Sequence, residues 1–306
     1  MGRTALFSRQ QPGGVFTIED LKDHPGDIYF VDSGHAAATD SAGSGKSPDT
    51  PLATLDYAFG LCTASQGDVI YVMPGHAETT TAMAWDVAGV KVVGLGFGRN
   101  RPTFTATTAA TDLINVTAAN GILENVRLVG AASGNTALLD GSSAATDFVA
   151  RNVSFEQAAT PLSGVTWSGT RFTFEDCDFS GSANGPDVSI ELEAHLTGWR
   201  VSRCRFLYPS GLDVAIIRSA NDAQEGYLIE DVQVVGIDTL LVSFASSTAG
   251  PPDGLFASGT VMCSAAVTSI EDIVAGATSL GMAFGRVYAT DATAKASALI
   301  PLTTAS

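Results

Sequence analysis

From about residue 112 onward the chain repeats one short phrase, and this repeat limits the available folds more than any other feature. The copies LENVRL (123–128), ARNVSF (150–155), FEDCDF (174–179), VSRCRF (201–206) and IEDVQV (229–234), with a weaker ASGTVM (257–262), align on Val126, Val153, Cys177, Cys204, Val232 and Thr260. The steps between them are 27, 24, 27, 28 and 28 residues. A period of that size marks a solenoid, in which each repeat buries its apolar face only by stacking on its neighbours.

Within each copy the aligned residue and the one two positions later are mostly apolar: Val126/Leu128, Val153/Phe155, Cys177/Phe179, Cys204/Phe206 and Val232/Val234. A period of two is that of a strand, so the solenoid is predicted to be built of β-strands. Arg127, Ser154, Asp178, Arg205 and Gln233 should then point outward, with Asp178 and Arg205 as opposite charges on adjacent coils. Asn125, Asn152, Asp176 and Asp231 fall where the chain must turn, a place suited to residues that tolerate left-handed geometry. Coils stacked at about 4.8 Å should pile Phe155, Phe179 and Phe206 into an interior column and set Cys177 against Cys204. A leucine-rich repeat of similar period would need an L-x-x-L-x-L phrase and a helix per repeat, and neither appears.

The front of the chain is organised differently. Residues 28–31 read as a strand, and 51–62 place Leu52, Leu55, Phe59 and Cys62 at helical spacing, with Thr50 as N-cap and Pro51 at the first helical position. A helix near 52–63 would cover the open end of the solenoid's core. Further strands are expected at 68–74 and 90–95, a short helix at 268–277, and no periodicity in 288–306. The predicted organisation is a docking arm over 1–27, the solenoid over 28–266, and a C-terminal cap and tail over 267–306.

Composition excludes several partners. Sixteen Lys and Arg face 32 Asp and Glu, a formal charge of -16, and no basic cluster of the kind that grips phosphates is present, so neither nucleic acid nor a membrane surface is expected as a partner. No apolar stretch is long enough to span a bilayer, and the N-terminus lacks the apolar core of a secretory signal. Cys62, Cys177, Cys204 and Cys263 show no metal-ligand spacing and read as buried thiols. No cofactor or metal is called for.

The strings YFVDSG (29–34), GKSPDTP (45–51), ATLDYA (53–58), GDVIYVMPG (67–75) and GLGFGRNRPTF (94–104) resemble the entry module of right-handed parallel β-helix proteins of the pectate-lyase-like superfamily, above all its bacteriophage-encoded members. The resemblance spans roughly residues 28–104, and the coils to about 266 agree with it. It implies an all-β, right-handed parallel β-helix with an N-terminal capping helix and short extensions at both ends. That fold serves polysaccharide lyases, glycosidases, phage tailspikes and other virion proteins alike.

As an enzyme, such a chain would offer Asp178, Glu191 and Glu193, taken to share an outer face because Ile190 and Leu192 turn inward. A solvated acidic face explains the same residues, and Glu175 and Glu230 read as corner positions. A lyase of the pectate type would need clustered acids for calcium and an Arg base, for which Arg200, Arg203 and Arg205 lie close; salt bridging accounts for them equally well. The string GSGKS (43–47) lacks the first Gly of a phosphate loop, and GLGFG (94–98) reads as a turn between coils. Trp85, Trp167 and Trp199 are candidates to stack on sugars, although Trp199 shares the register of Phe148, Phe172 and Tyr227 and reads as core.

The leading expectation is a bacteriophage virion structural protein, assembled in the host cytoplasm: a capsid decoration or cement protein that docks on the major capsid protein as a homotrimer. Arg3, Leu6, Phe7 and Arg9 in the basic N-terminal arm are the expected docking residues. The alternative is a tailspike or polysaccharide-degrading enzyme, lyase or glycosidase, acting on host surface glycans.

Overall fold

The computed structural model describes residues 7–299 apart from 12–13, 19–25, 108–111, 131–135, 158–162, 182–187, 209–214, 220–223, 238–239, 245–252, 264–273, 276–281 and 292–297. The repeat folds as predicted into a parallel β-solenoid. Each coil of the repeat contributes two short strands to one 18-stranded sheet and a third strand to an eight-stranded sheet. In the third coil, for example, Thr173–Glu175 and Asp178–Gly181 lie in the large sheet and Val188–Leu192 in the smaller one. Parallel pairing runs from Ile28–Val31 to Met282–Asp291, so the ladder continues through a strand beyond residue 266. Val274–Ala275 is a strand paired with Leu240–Phe244, where a short helix was expected. Phe7–Gln11 and Gly14–Ile18 form a separate antiparallel hairpin.

The bend between the first two strands of each coil takes a single residue in the left-handed region: Asn125, Asn152, Asp176, Arg203 and Asp231, all with φ between 51° and 57°. Four of these are the expected Asn and Asp, and the fourth copy places Arg203 there. Asn152 donates to Asn125 Oδ1 at 2.8 Å, and Asn125 donates to the carbonyls of Gly94 and Gly96 at 2.7 and 2.9 Å, so the corner carries its own side-chain ladder. A second left-handed line, Asn120, Asp147, Arg171, Gly198 and Gly226, runs parallel to it with the same steps.

Inside, the alternating residues stack coil on coil. Phe155 lies on Phe179 at 4.5 Å with rings 7° apart, and Phe179 on Phe206 at 4.8 Å. A second column joins Phe172, Trp199 and Tyr227, with ring centroids 5.5 and 4.8 Å apart. Each fully buried aromatic ring contributes roughly 1.5 to 3 kcal/mol from leaving water. The core is therefore a continuous apolar axis, and Trp85, Trp167 and Trp199 are all buried in it, so none is available to a sugar.

The single α-helix among the described residues spans Leu55–Leu61. It begins later than expected because Leu52 is extended and bridges Val31. Thr54, not Thr50, is its N-cap, accepting from the Tyr57 N–H at 3.3 Å. Asp40 accepts the N–H groups of Ala53 and Thr54, and the buried Glu78 accepts that of Leu55 at 3.0 Å. Carboxylates at a helix start satisfy its unpaired donors and its positive end. His76 completes this network: Nδ1 accepts from the Ser33 N–H, which leaves Nε2 to donate to Glu78. Leu55, Ala58 and Phe59 turn into the core, Phe59 against Trp85 at 4.8 Å.

Candidate functional site

The left-handed corners bend the large sheet along one line, and the side chains on either side of that line form a charged lateral face. Residues before the corner stand in register as Glu124, Arg151, Glu175, Ser202 and Glu230, and those after it as Arg127, Ser154, Asp178, Arg205 and Gln233. Because coils are one strand spacing apart, opposite charges on successive coils meet directly. Arg151 reaches both Glu124 and Glu175, at 3.4 and 3.0 Å. Arg127 holds Glu156 through two bonds of 2.8 and 2.9 Å. Arg203 takes Asp176 at 2.8 Å and also Glu175, while Arg200 takes Glu230.

These pairs fix the protonation of the face. Hydrogen bonds from Arg203 hold Glu175 and Asp176 below the usual carboxylate range, and a hydrogen bond from Arg200 does the same for Glu230. The exposed pairs are worth little individually to stability. Their effect is to keep the carboxylates ionised and the side chains in place.

On this face lies a cavity of about 460 Å³ lined by Asp178, Arg203, Cys204, Arg205, Asp231 and Gln233. Asp178 and Arg205 are paired as expected, in an ion pair with Arg205 Nε 3.0 Å from Asp178 Oδ1. Arg203 is committed to Asp176 and Glu175 through Nε and Nη2. Arg205 pairs through Nε alone, is the most exposed arginine of the face, and lines the cavity. By strand register Asp231 stands two coils from Asp176, at about 9.6 Å for two strand spacings.

The other expected acids are elsewhere. Glu191 is on Val188–Leu192 of the eight-stranded sheet, in register with Thr166 and Arg218, and is bound to Arg218 Nε at 2.6 Å. Ile190 and Leu192 do turn inward, but Asp178 belongs to the other sheet, so the three acids do not share one face. Glu193 is exposed beyond the same strand, where its charge, after burial and Asp140, helps raise the pKa of Asp112. Among the described residues no group of three or more His, Cys, Asp or Glu side chains is arranged to hold a metal ion. Arg3 and Leu6 lie outside the described residues, and Phe7 and Arg9 fall on a hairpin described only in its backbone.

Sequence reasoning missed Arg101. It reaches across the corner line to donate to Ser154 Oγ at 3.1 Å and to the carbonyls of Val126 and Asn152. Ser154, expected to face solvent, is buried beneath it. Burial lowers the pKa of Arg101, and its Nε has no hydrogen-bond partner. A lone Arg 53 residues before its partner leaves no pattern in the sequence.

No family model and no curated protein matches the chain. A solved structure does: a rhamnogalacturonan lyase, with a TM-score of 0.55 and 14% identity over 78% of this chain and 69% of that one. The expectation of a capsid decoration protein is corrected by this match, since the counterpart is a polysaccharide-degrading enzyme and nothing found points to a capsid. At this identity the likeness concerns architecture, and the chain has a parallel β-helix fold.

Proposed function

We propose that this protein acts on an acidic polysaccharide, held lengthwise along the lateral face and cleaved by β-elimination in the cavity beside Asp178. The observation that carries this reading is the Asp178–Arg205 pair, in which a carboxylate is fixed next to a guanidinium that lines the cavity. A uronate carboxylate on that guanidinium would have its charge neutralised, which acidifies the adjacent C–H. Asp178 takes that proton, a carbon–carbon double bond forms, and the bond to the glycosidic oxygen breaks, with solvent protonating the leaving oxygen. Hydrolysis would instead need a carboxylic acid kept protonated near neutral pH. Glu175, Asp176 and Glu230, on the same face, have their pKa values lowered by arginines, the opposite of what such an acid requires.

The fold is that of a solved rhamnogalacturonan lyase, which is compatible with this chemistry. The bacteriophage resemblance suggests host surface glycans as the source of substrate, and the helix Leu55–Leu61 serves as the end cap of the solenoid. The test is incubation with a panel of acidic polysaccharides, following both the ultraviolet absorbance of unsaturated uronates and new reducing ends. Both should rise together and fall at least about 100-fold in Asp178→Asn, the lower end of what a general base contributes. Reducing ends without absorbance would replace elimination by hydrolysis. The absence of both signals would overturn the reading.

A further inference from the structure

We infer that Phe97 is a sugar-stacking platform at the head of the lateral face, an inference that rests on the function proposed above. In the repeat the two strands of the large sheet are joined by two residues, such as Asn125 and Val126 or Asp176 and Cys177. One coil earlier the same connection, from Lys91–Gly94 to Thr103–Ala106, takes the eight residues 95–102. At its tip Phe97 is 88% exposed, the most exposed large apolar side chain among the described residues.

The loop is built to hold that position. Asn125 ties the carbonyls of Gly94 and Gly96, the Gly75 N–H donates to the Asn100 carbonyl at 2.8 Å, and Arg101 pins the far end to Ser154. Gly96 has φ +97°, and a Cβ there would meet the Asn100 oxygen at 2.7 Å, so the turn depends on glycine. Folding gains nothing from leaving a phenyl ring in water, and here the ring is held out on a loop tied at both ends to its own and neighbouring coils.

Position selects the ligand. The loop stands on the same corner line as Asp176 and Arg203, three and four coils away, or about 14 and 19 Å at one strand spacing per coil. The remaining exposed large apolar residues lie on the same sheet: Leu207 two residues past Arg205, and Leu255 in register with Leu228 and, through it, Arg200. Charged groups on the face suit carboxylates and hydroxyls, whereas Phe97 suits the apolar C–H face of a pyranose ring. An extended glycan carries both along its length. Chains long enough to reach from the cavity to the loop should engage Phe97, and short oligosaccharides should not.

The experiment is affinity electrophoresis and calorimetry with polygalacturonate, alginate and size-fractionated oligomers of each, on wild type, Phe97→Ala, Phe97→Trp and Asp178→Asn. Phe97→Ala should weaken polymer binding about tenfold, the scale of one aromatic contact, while Phe97→Trp retains it and short oligomers bind all variants equally. Asp178→Asn should still bind polymer after losing cleavage. Equal polymer affinity in wild type and Phe97→Ala would overturn the inference while leaving the proposed function intact. A change in sedimentation of Phe97→Ala, marking Phe97 as a contact between copies of the chain, would also overturn it. Absence of binding by the wild type to every polymer would remove both.

Discussion

Arg203 and Asp176 occupy the same left-handed corner on successive coils, and Arg203 Nε donates to Asp176 Oδ1 at 2.8 Å. The same guanidinium holds Glu175, so one cation lowers two carboxyl pKa values. A carboxyl group with a depressed folded-state pKa stabilises the fold above its unfolded value and loses that contribution as pH falls through the folded value. The thermal midpoint should therefore decline as pH drops below the ordinary values of 4.5 for Glu175 and 3.8 for Asp176. In Arg203→Gln that decline should be shallower, as read by differential scanning fluorimetry from pH 6 to 3. Parallel curves for the two proteins would show that Arg203 does not set the acid limit.

Asn125 combines a left-handed backbone with three side-chain bonds to neighbouring coils. Asn125→Ala should cost about 2 kcal/mol or more, because those bonds are lost and a Cβ at positive φ is no longer offset by them. Asn125→Gly relieves the strain alone and should fall between alanine and wild type in urea denaturation. A glycine variant no better than alanine would assign the whole effect to the side chain.

Phe179 is the middle ring of the Phe155–Phe179–Phe206 column and is buried. Replacement by Ala leaves a void walled by two rigid rings and should cost about 3 to 5 kcal/mol. Phe179→Leu should recover part of that loss. A smaller cost for Ala, measured by the same denaturation, would mean that the coils collapse to fill the space.

Burial pushes the Cys62 thiol up to about 12 and Cys204 well above 9, the latter also through the adjacent Cys177. Thiolate is the reactive form, so native protein at pH 8 should leave these two cysteines unmodified by iodoacetamide, and denaturant should expose them. Peptide mapping distinguishes them from Cys263. Rapid native labelling of Cys204 would contradict the packed interior.

How much of this was legible beforehand follows from where the information resides. The strand, corner and core positions repeat every 24 to 28 residues, so Phe155, Phe179 and Phe206 could be stacked, and Asp178 paired with Arg205, by alignment alone. The second corner line, Asn120, Asp147, Arg171, Gly198 and Gly226, shares a backbone conformation but no single residue type throughout, and alignment passes over it. Glu191 was assigned to the face of Asp178 because alternation tells inside from outside and is silent about which sheet a strand joins. The helix start depended on Glu78, 23 residues downstream, a contact that local capping rules do not see. Arg101 and Phe97 lie in the eight-residue connection 95–102, where periodicity has nothing to say.

The one-residue corners have a further consequence. Since each coil of the repeat from Asn125 to Asp231 turns at the same point and advances by one strand spacing, the lateral face is graduated in steps of about 4.8 Å. Adding or deleting a whole coil would lengthen or shorten that scale by one step without disturbing the geometry on either side. The molecule is in this sense a ruler whose length is set by how many times its sequence repeats.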